Sequence, residues 1–215
     1  MQYIMTTIFD KELEEIKMSM KEIQLRQGER KVNNPRVREL ILIVENFLKR
    51  KKLICYGGTA INNILPEKDQ FYDKNVEIPD YDFFSKDALN DAKELADIYQ
   101  SNGYKNVVAT SGAHGGTFKV FVEFIPVADI TYIHKDIYSK IQKDSIKIND
   151  ILYCAPNYLR MSMYLELSRP DGDVSRWEKV YTRLVLLNKN YPIMPKNKNC
   201  NNIEIQRYFT SKSSV

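Results

Sequence analysis

The segment Leu53-Ile54-Cys55-Tyr56-Gly57-Gly58-Thr59 constrains this chain more than any other stretch of its sequence. Its first four residues give the signal of a short buried strand, and the two glycines that follow allow backbone angles closed to residues with a Cβ. Ala60 to Leu65 can then form a helical turn or two. The pattern predicts a strand, a glycine turn and a helix start. Such a turn lets backbone N–H groups and the Thr59 hydroxyl approach a triphosphate at the positive end of a helix. A purely structural tight turn has the same sequence, and the segment alone does not separate the two.

Further along, Pro79-Asp80-Tyr81-Asp82-Phe83-Phe84 alternates acidic and aromatic residues in the manner of a strand. Asp80 and Asp82 then leave the same face, with Cα atoms about 6.6 Å apart. Two carboxylates so spaced can share a divalent cation, and Mg²⁺, a hard ion held by oxygen ligands and substrate phosphates, suits phosphoryl or nucleotidyl transfer. The bland alternative is a solvated strand face. A two-ion site needs a third carboxylate. Asp129, alone between Val127-Ala128 and Ile130-Thr131, is the best candidate, because an unpaired charge among strand-like apolar residues is expensive. Glu123, in the preceding strand, is its rival.

Composition narrows the classes. Of 215 residues, 43% are hydrophobic and 28% charged, an ordinary globular balance that excludes disordered and fibrous chains. The longest apolar run, Leu40 to Val44, covers about a quarter of a bilayer crossing, and the N-terminus shows no signal-peptide pattern, so no membrane association is expected. Three cysteines, Cys55, Cys154 and Cys200, form no CxxC pair, which points to spare or buried thiols in a reducing, cytoplasmic compartment. Two histidines leave few parts for a zinc site, so any metal must be held by carboxylates. A net charge of +4 permits contact with nucleic acid or a nucleoside triphosphate, without the density of a dedicated nucleic-acid binder.

The remaining pattern reads as helices around strands. Phe9, Leu13, Ile16, Met20 and Ile23 step by four and three along an amphipathic helix that should end near Gly28, as either core or docking surface. Asn34-Pro35 caps a second helix running to Lys51, whose basic end Lys49 to Lys52 serves as dipole partner or phosphate contact. Ser85 is expected to cap a helix ending near Gly103, followed by strands at 104–110, 117–125 (Phe118, Val120, Val122 and Phe124 on one face) and 128–133. His114 and Lys119, by the glycine-rich turn at 111–116, read as surface side chains. Helices carrying Tyr158 to Leu167 and Trp177 to Leu187 follow, then an Asn/Lys/Pro-rich stretch in which Ile203, Ile205, Tyr208 and Phe209 could dock weakly. The architecture expected is α+β: a small mixed β-sheet flanked by helices, enclosed rather than doubly wound, with helical segments at both ends.

Taken together, Tyr56-Gly57-Gly58-Thr59, Asp80-Tyr81-Asp82 and Ala128-Asp129-Ile130-Thr131 resemble the signature of the nucleotidyltransferase superfamily, whose members include DNA polymerase beta. Cys55 to Asn62, Ile78 to Ser85 and Arg176-Trp177-Glu178-Lys179-Val180 are more specifically similar to the poly(A) polymerase catalytic subunits of poxviruses and giant cytoplasmic DNA viruses. The resemblance, spanning Val37 to Asn190, implies a nucleotidyltransferase fold and template-independent transfer of AMP from ATP to RNA 3′ ends, with two Mg²⁺ or Mn²⁺ ions. It implies Asp80, Asp82 and Asp129 as catalytic metal ligands and Gly57, Gly58, Thr59 and Lys179 as nucleotide contacts. Tyr164, Arg169 and Arg176 are weaker candidates, Tyr164 also fitting a core stripe. ATP, an RNA 3′ end and a homo- or hetero-oligomeric partner are the implied partners, in host cytoplasm or virion. The organisation expected is 1–34 as an N-terminal helical segment, 35–155 as the catalytic domain, 156–190 as helices opening a second domain, and 191–215 as linker or tail. Two departures stand out: an inserted loop at Pro66 to Ile78, and a chain shorter than such polymerases, either fragment or short paralogue. The alternatives are an inactive scaffold subunit of the same fold and a transferase with another acceptor.

Overall fold

The computed structural model of the chain describes residues 8–193. Its elements in chain order are α1 (Ile8–Val32), α2 (Pro35–Lys51), β1 (Ile54–Tyr56), α3 (Gly57–Ile64), β2 (Tyr81–Ser85), α4 (Ala88–Ser101), β3 (Val107–Ser111), β4 (Thr117–Val122), β5 (Ile125–Tyr132), α5 (Lys135–Lys143), β6 (Ile146–Ile148), β7 (Ile151–Tyr153), α6 (Pro156–Leu167) and α7 (Trp177–Asn190). The strands form one mixed sheet ordered β3-β4-β5-β2-β1-β7-β6. Within it β2 runs parallel to β5 and β1 parallel to β7, while the other neighbours are antiparallel.

Period two decides which side of this sheet is core. Tyr81 and Phe83 point to the face covered by α2 and α4, where Phe83 is fully buried with its ring centroid 6.4 Å from that of Phe47. Asp82 and Phe84 alternate to the other face. The cover holds because α2 starts as its sequence dictates: the Asn34 side chain accepts from the Arg36 N–H at 2.9 Å and Pro35 takes the first helical position. Val37, Leu40, Val44, Phe47 and Leu48 then form one buried face. The architecture is α+β with a mixed sheet, as expected.

Several boundaries differ from expectation, each for a local reason. Helix α1 passes through Gly28 to Val32, because the missing side chain there admits the 73–78 loop: an added Cβ would stand 2.5 Å from the Val76 carbonyl oxygen. Its apolar stripe is exposed, from 50% at Leu13 to 79% at Phe9. Ser85 ends β2 instead of capping α4. Its hydroxyl accepts from the Asp87 N–H at 2.8 Å and donates to Asp91. The expected strands 117–125 and 128–133 are the hairpin β4–β5, turning at Glu123 and Phe124, both at positive φ (51° and 67°), which leaves Phe124 86% exposed rather than in the core. Sequence reasoning missed α5 and the β6–β7 hairpin. Cys55 and Cys154 are buried, unpaired thiols. Cys200 and the docking residues expected between Ile203 and Phe209 lie outside the described residues. Among the described residues no helix is long and apolar enough to cross a membrane.

Candidate active site

One row of residues crosses the sheet on the face opposite α2. In the β4–β5 register Lys119 opposes Asp129, in the β5–β2 register Asp129 neighbours Asp82, and in the β2–β1 register Asp82 opposes Tyr56, the residue before the glycine turn. Neighbouring strands stand about 4.8 Å apart, so this register alone brings Asp82 and Asp129 side by side. Asp80, two residues before Asp82, lies at the start of the same strand face. Its main-chain oxygen is held by the Thr59 hydroxyl, which donates at 2.6 Å. Thr59 is buried, and its hydroxyl is engaged by the main chain of the first carboxylate.

The two glycines are required by what approaches them. Gly57 has φ +71°, and an added Cβ would lie 3.0 Å from Asp82 Cγ and still closer to its Oδ2. At Gly58 a Cβ would stand 2.5 Å from the Tyr72 hydroxyl and 2.9 Å from Arg183 Nη1. The glycine turn is thus pressed between a carboxylate and a guanidinium. Arg183, from α7, is buried, donates to the Tyr72 hydroxyl at 2.8 Å, and lies over the rings of Phe71 (4.6 Å) and Tyr72 (5.3 Å). Sequence reasoning singled out neither Arg183 nor Tyr72. Lys179 is exposed on α7, its pKa lowered first by the neighbouring Arg183 charge, then by desolvation and Arg176. Arg176 pairs with Glu166 at 3.0 Å and also lowers the Asp82 pKa.

The carboxylates bear the electrostatic cost of this arrangement. Burial, then repulsion from Asp80 and Asp129, pushes Asp82 up to about 7, against opposing pulls from Lys119 and Arg176. Asp80 is raised by desolvation and by Asp129. Lys119 donates to Asp129 Oδ2 at 2.5 Å, and its own pKa is raised by that bond. An anionic, all-oxygen set with too little positive charge beside it fits a divalent cation. The side chains do not converge as fully as the sequence predicts: among the described residues no three His, Cys, Asp or Glu groups stand gathered for one ion, and Asp129 is turned to Lys119. Glu123 is not the third carboxylate. It sits in the β4–β5 turn and pairs with Arg36 at 2.5 Å.

Behind the row, Tyr56 stacks on Phe84 (centroids 4.0 Å apart), Tyr158 of α6 meets Phe84 edge-on at 5.7 Å, and Tyr56, Thr131 and Thr117 share hydroxyl contacts of 2.8 and 2.9 Å. This layer fixes the strands that carry the acids. Tyr164 is 39% exposed rather than core, and Arg169 and His114 are exposed.

The model of the poly(A) polymerase catalytic subunit family matches residues 42–173, a span that includes all seven strands. The chain is 35% identical over 176 residues to a putative poly(A) polymerase catalytic subunit of African swine fever virus, covering 79% of this chain and 37% of that protein. It is 31% identical over 160 residues to the mimivirus counterpart, covering 73% and 27%. The crystal structure of the Megavirus polyadenylate synthase superposes with a TM-score of 0.78 at 28% identity, over 93% of this chain and 40% of that one. The chain thus spans about a third of the length of the curated relatives it matches. With the family's model covering more than half of the chain and every strand of the carboxylate row, this protein belongs to the poly(A) polymerase catalytic subunit family.

Proposed function

We propose that this chain carries the nucleotidyl-transfer site of a polyadenylating enzyme, adding AMP from ATP to an RNA 3′ end. The observation that carries the reading is the cross-sheet row in which Asp129 neighbours Asp82 and Asp82 abuts the Gly57-Gly58 turn, with Arg183 on the turn's other side. Asp80, Asp82 and Asp129 would hold two Mg²⁺ or Mn²⁺ ions. Bound there, such ions would stabilise the developing negative charge of the transferred phosphoryl group and favour ionisation of the attacking 3′-hydroxyl. The chain's own groups do the positioning. Backbone N–H groups at the start of α3 and the cations Lys179 and Arg183 supply positive charge for the triphosphate, and Thr59 fixes the strand start from which Asp80 projects. In this reading residues 35–155 form the catalytic domain and the helices from 156 to 190 close its nucleotide side.

The test is incubation of the full chain with an RNA oligomer, each labelled NTP in turn, and Mg²⁺ or Mn²⁺, resolved on a sequencing gel. A ladder with ATP and none with Asp82→Asn is expected. A ladder that survives Asp82→Asn rules out the assignment, and ATP binding without extension favours the non-catalytic scaffold.

A further inference from the structure

Lys119 reaches Asp129 through an irregularity of the sheet. Val122 and Phe121 oppose Ile125 and Pro126 in one register, whereas Val120 and Lys119 oppose Ala128 and Asp129 in the next, leaving Val127 as an extra residue on β5. Without that bulge Lys119 would oppose Ala128. Bulges beside functional sites commonly re-aim a side chain in this way. Here the ammonium is brought to 2.5 Å from Asp129 Oδ2, with the lysine side chain 36% exposed and the aspartate side chain 17%. A partly solvated ammonium on a flexible stem can leave, and a metal ion ligated through the same carboxylate oxygen competes with it.

We propose that Lys119 is a positioning residue that occupies Asp129 as an exchangeable counter-ion, so that divalent-cation binding at Asp80, Asp82 and Asp129 proceeds by displacing its ammonium. The inference rests on the metal site proposed above. Without metal, Lys119 offsets the repulsion along the row and holds the Asp129 carboxylate turned to itself. Its pairing raises the cation concentration needed to complete the site.

The test is Mn²⁺ binding to the full chain, without nucleotide or RNA, followed by the electron paramagnetic resonance signal of free Mn²⁺. Lys119→Met should bind Mn²⁺ about 5-fold more tightly than wild type, the gain from removing a partly exposed competing pair. Lys119→Arg, whose fork holds a carboxylate in two bonds, should bind more weakly. Metal-free Lys119→Met should melt below wild type and gain more from Mn²⁺. Equal or weaker Mn²⁺ binding by Lys119→Met, with wild-type binding intact, overturns this inference alone. If Lys119→Met does not fold, Lys119→Arg decides, and tighter or equal binding by it overturns the idea. No Mn²⁺ binding by any of the three proteins overturns the metal site as well.

Discussion

Asp82 concentrates the site's electrostatic cost in one residue, and that cost has a direction in pH. Its carboxyl is pushed from an ordinary 3.8 up to about 7, so the metal-free native state holds a proton that the unfolded chain has released. Between about pH 4 and pH 7 stability therefore falls as pH rises, and above about pH 7 the full penalty, on the order of 4 kcal/mol, is present. Asp80 is raised and contributes with the same sign. In chelator, the melting temperature of wild type should drop between pH 5 and pH 8. Asp82→Asn should flatten that dependence and melt no lower than wild type at pH 8. An Asp82→Asn protein that melts much lower at pH 8 would mean that the carboxylate makes a structural hydrogen bond or ion pair. Added Mg²⁺ should remove most of the wild-type pH dependence, since metal favours the ionised form that pH 8 already imposes.

At the scale of elements, the β4–β5 hairpin decides which acid belongs to the site, and it does so with unsuitable residues. A two-residue turn with both positions at positive φ favours Asn-Gly, yet Glu123 and Phe124 occupy it. Phe124→Gly should therefore stabilise the protein by about 1 kcal/mol, read as a higher urea midpoint with an unchanged slope. A lower midpoint would show that the exposed Phe124 ring packs usefully. This turn explains why Glu123 stood as a rival to Asp129 in the sequence: nothing marks Glu123 as a turn residue, so both acids read as strand residues. The β6–β7 hairpin was missed for a different reason: Asn149-Asp150, at φ 49° and 66°, suits such a turn, but its strands, Ile146–Ile148 and Ile151–Tyr153, are three residues each and too short to show a period. The strand, glycine turn and helix at Ile54 to Ile64 could be read because its determinants are contiguous. Arg183, Tyr72 and Lys119 could not, because their roles depend on a distant helix, an inserted loop and a bulge that shifts register by one residue.

Over the whole molecule, the sheet divides labour by face. One side is packed by α2 and α4 into an apolar core, and the other carries the acids, with α7 bringing cations toward the glycine turn. The sequence conveyed the α+β class and the order of its main parts, since amphipathic periods and caps are local signals. It did not convey that β1, β2 and β5 lie adjacent, a fact set by crossover connections. The match of most of this chain to 40% of the Megavirus polyadenylate synthase shows that this arrangement recurs within a longer protein. The central claim is that Asp80, Asp82 and Asp129 with the Gly57-Gly58 turn form one metal–nucleotide site. It is tested most directly by an anomalous difference map from crystals of the chain soaked with Mn²⁺ and an unreactive ATP analogue. The expected result is Mn²⁺ ligated by Asp82 and its two companion carboxylates, with the triphosphate against Gly57-Gly58 and Arg183. Mn²⁺ bound elsewhere, or a triphosphate seated away from the glycine turn, would contradict the account.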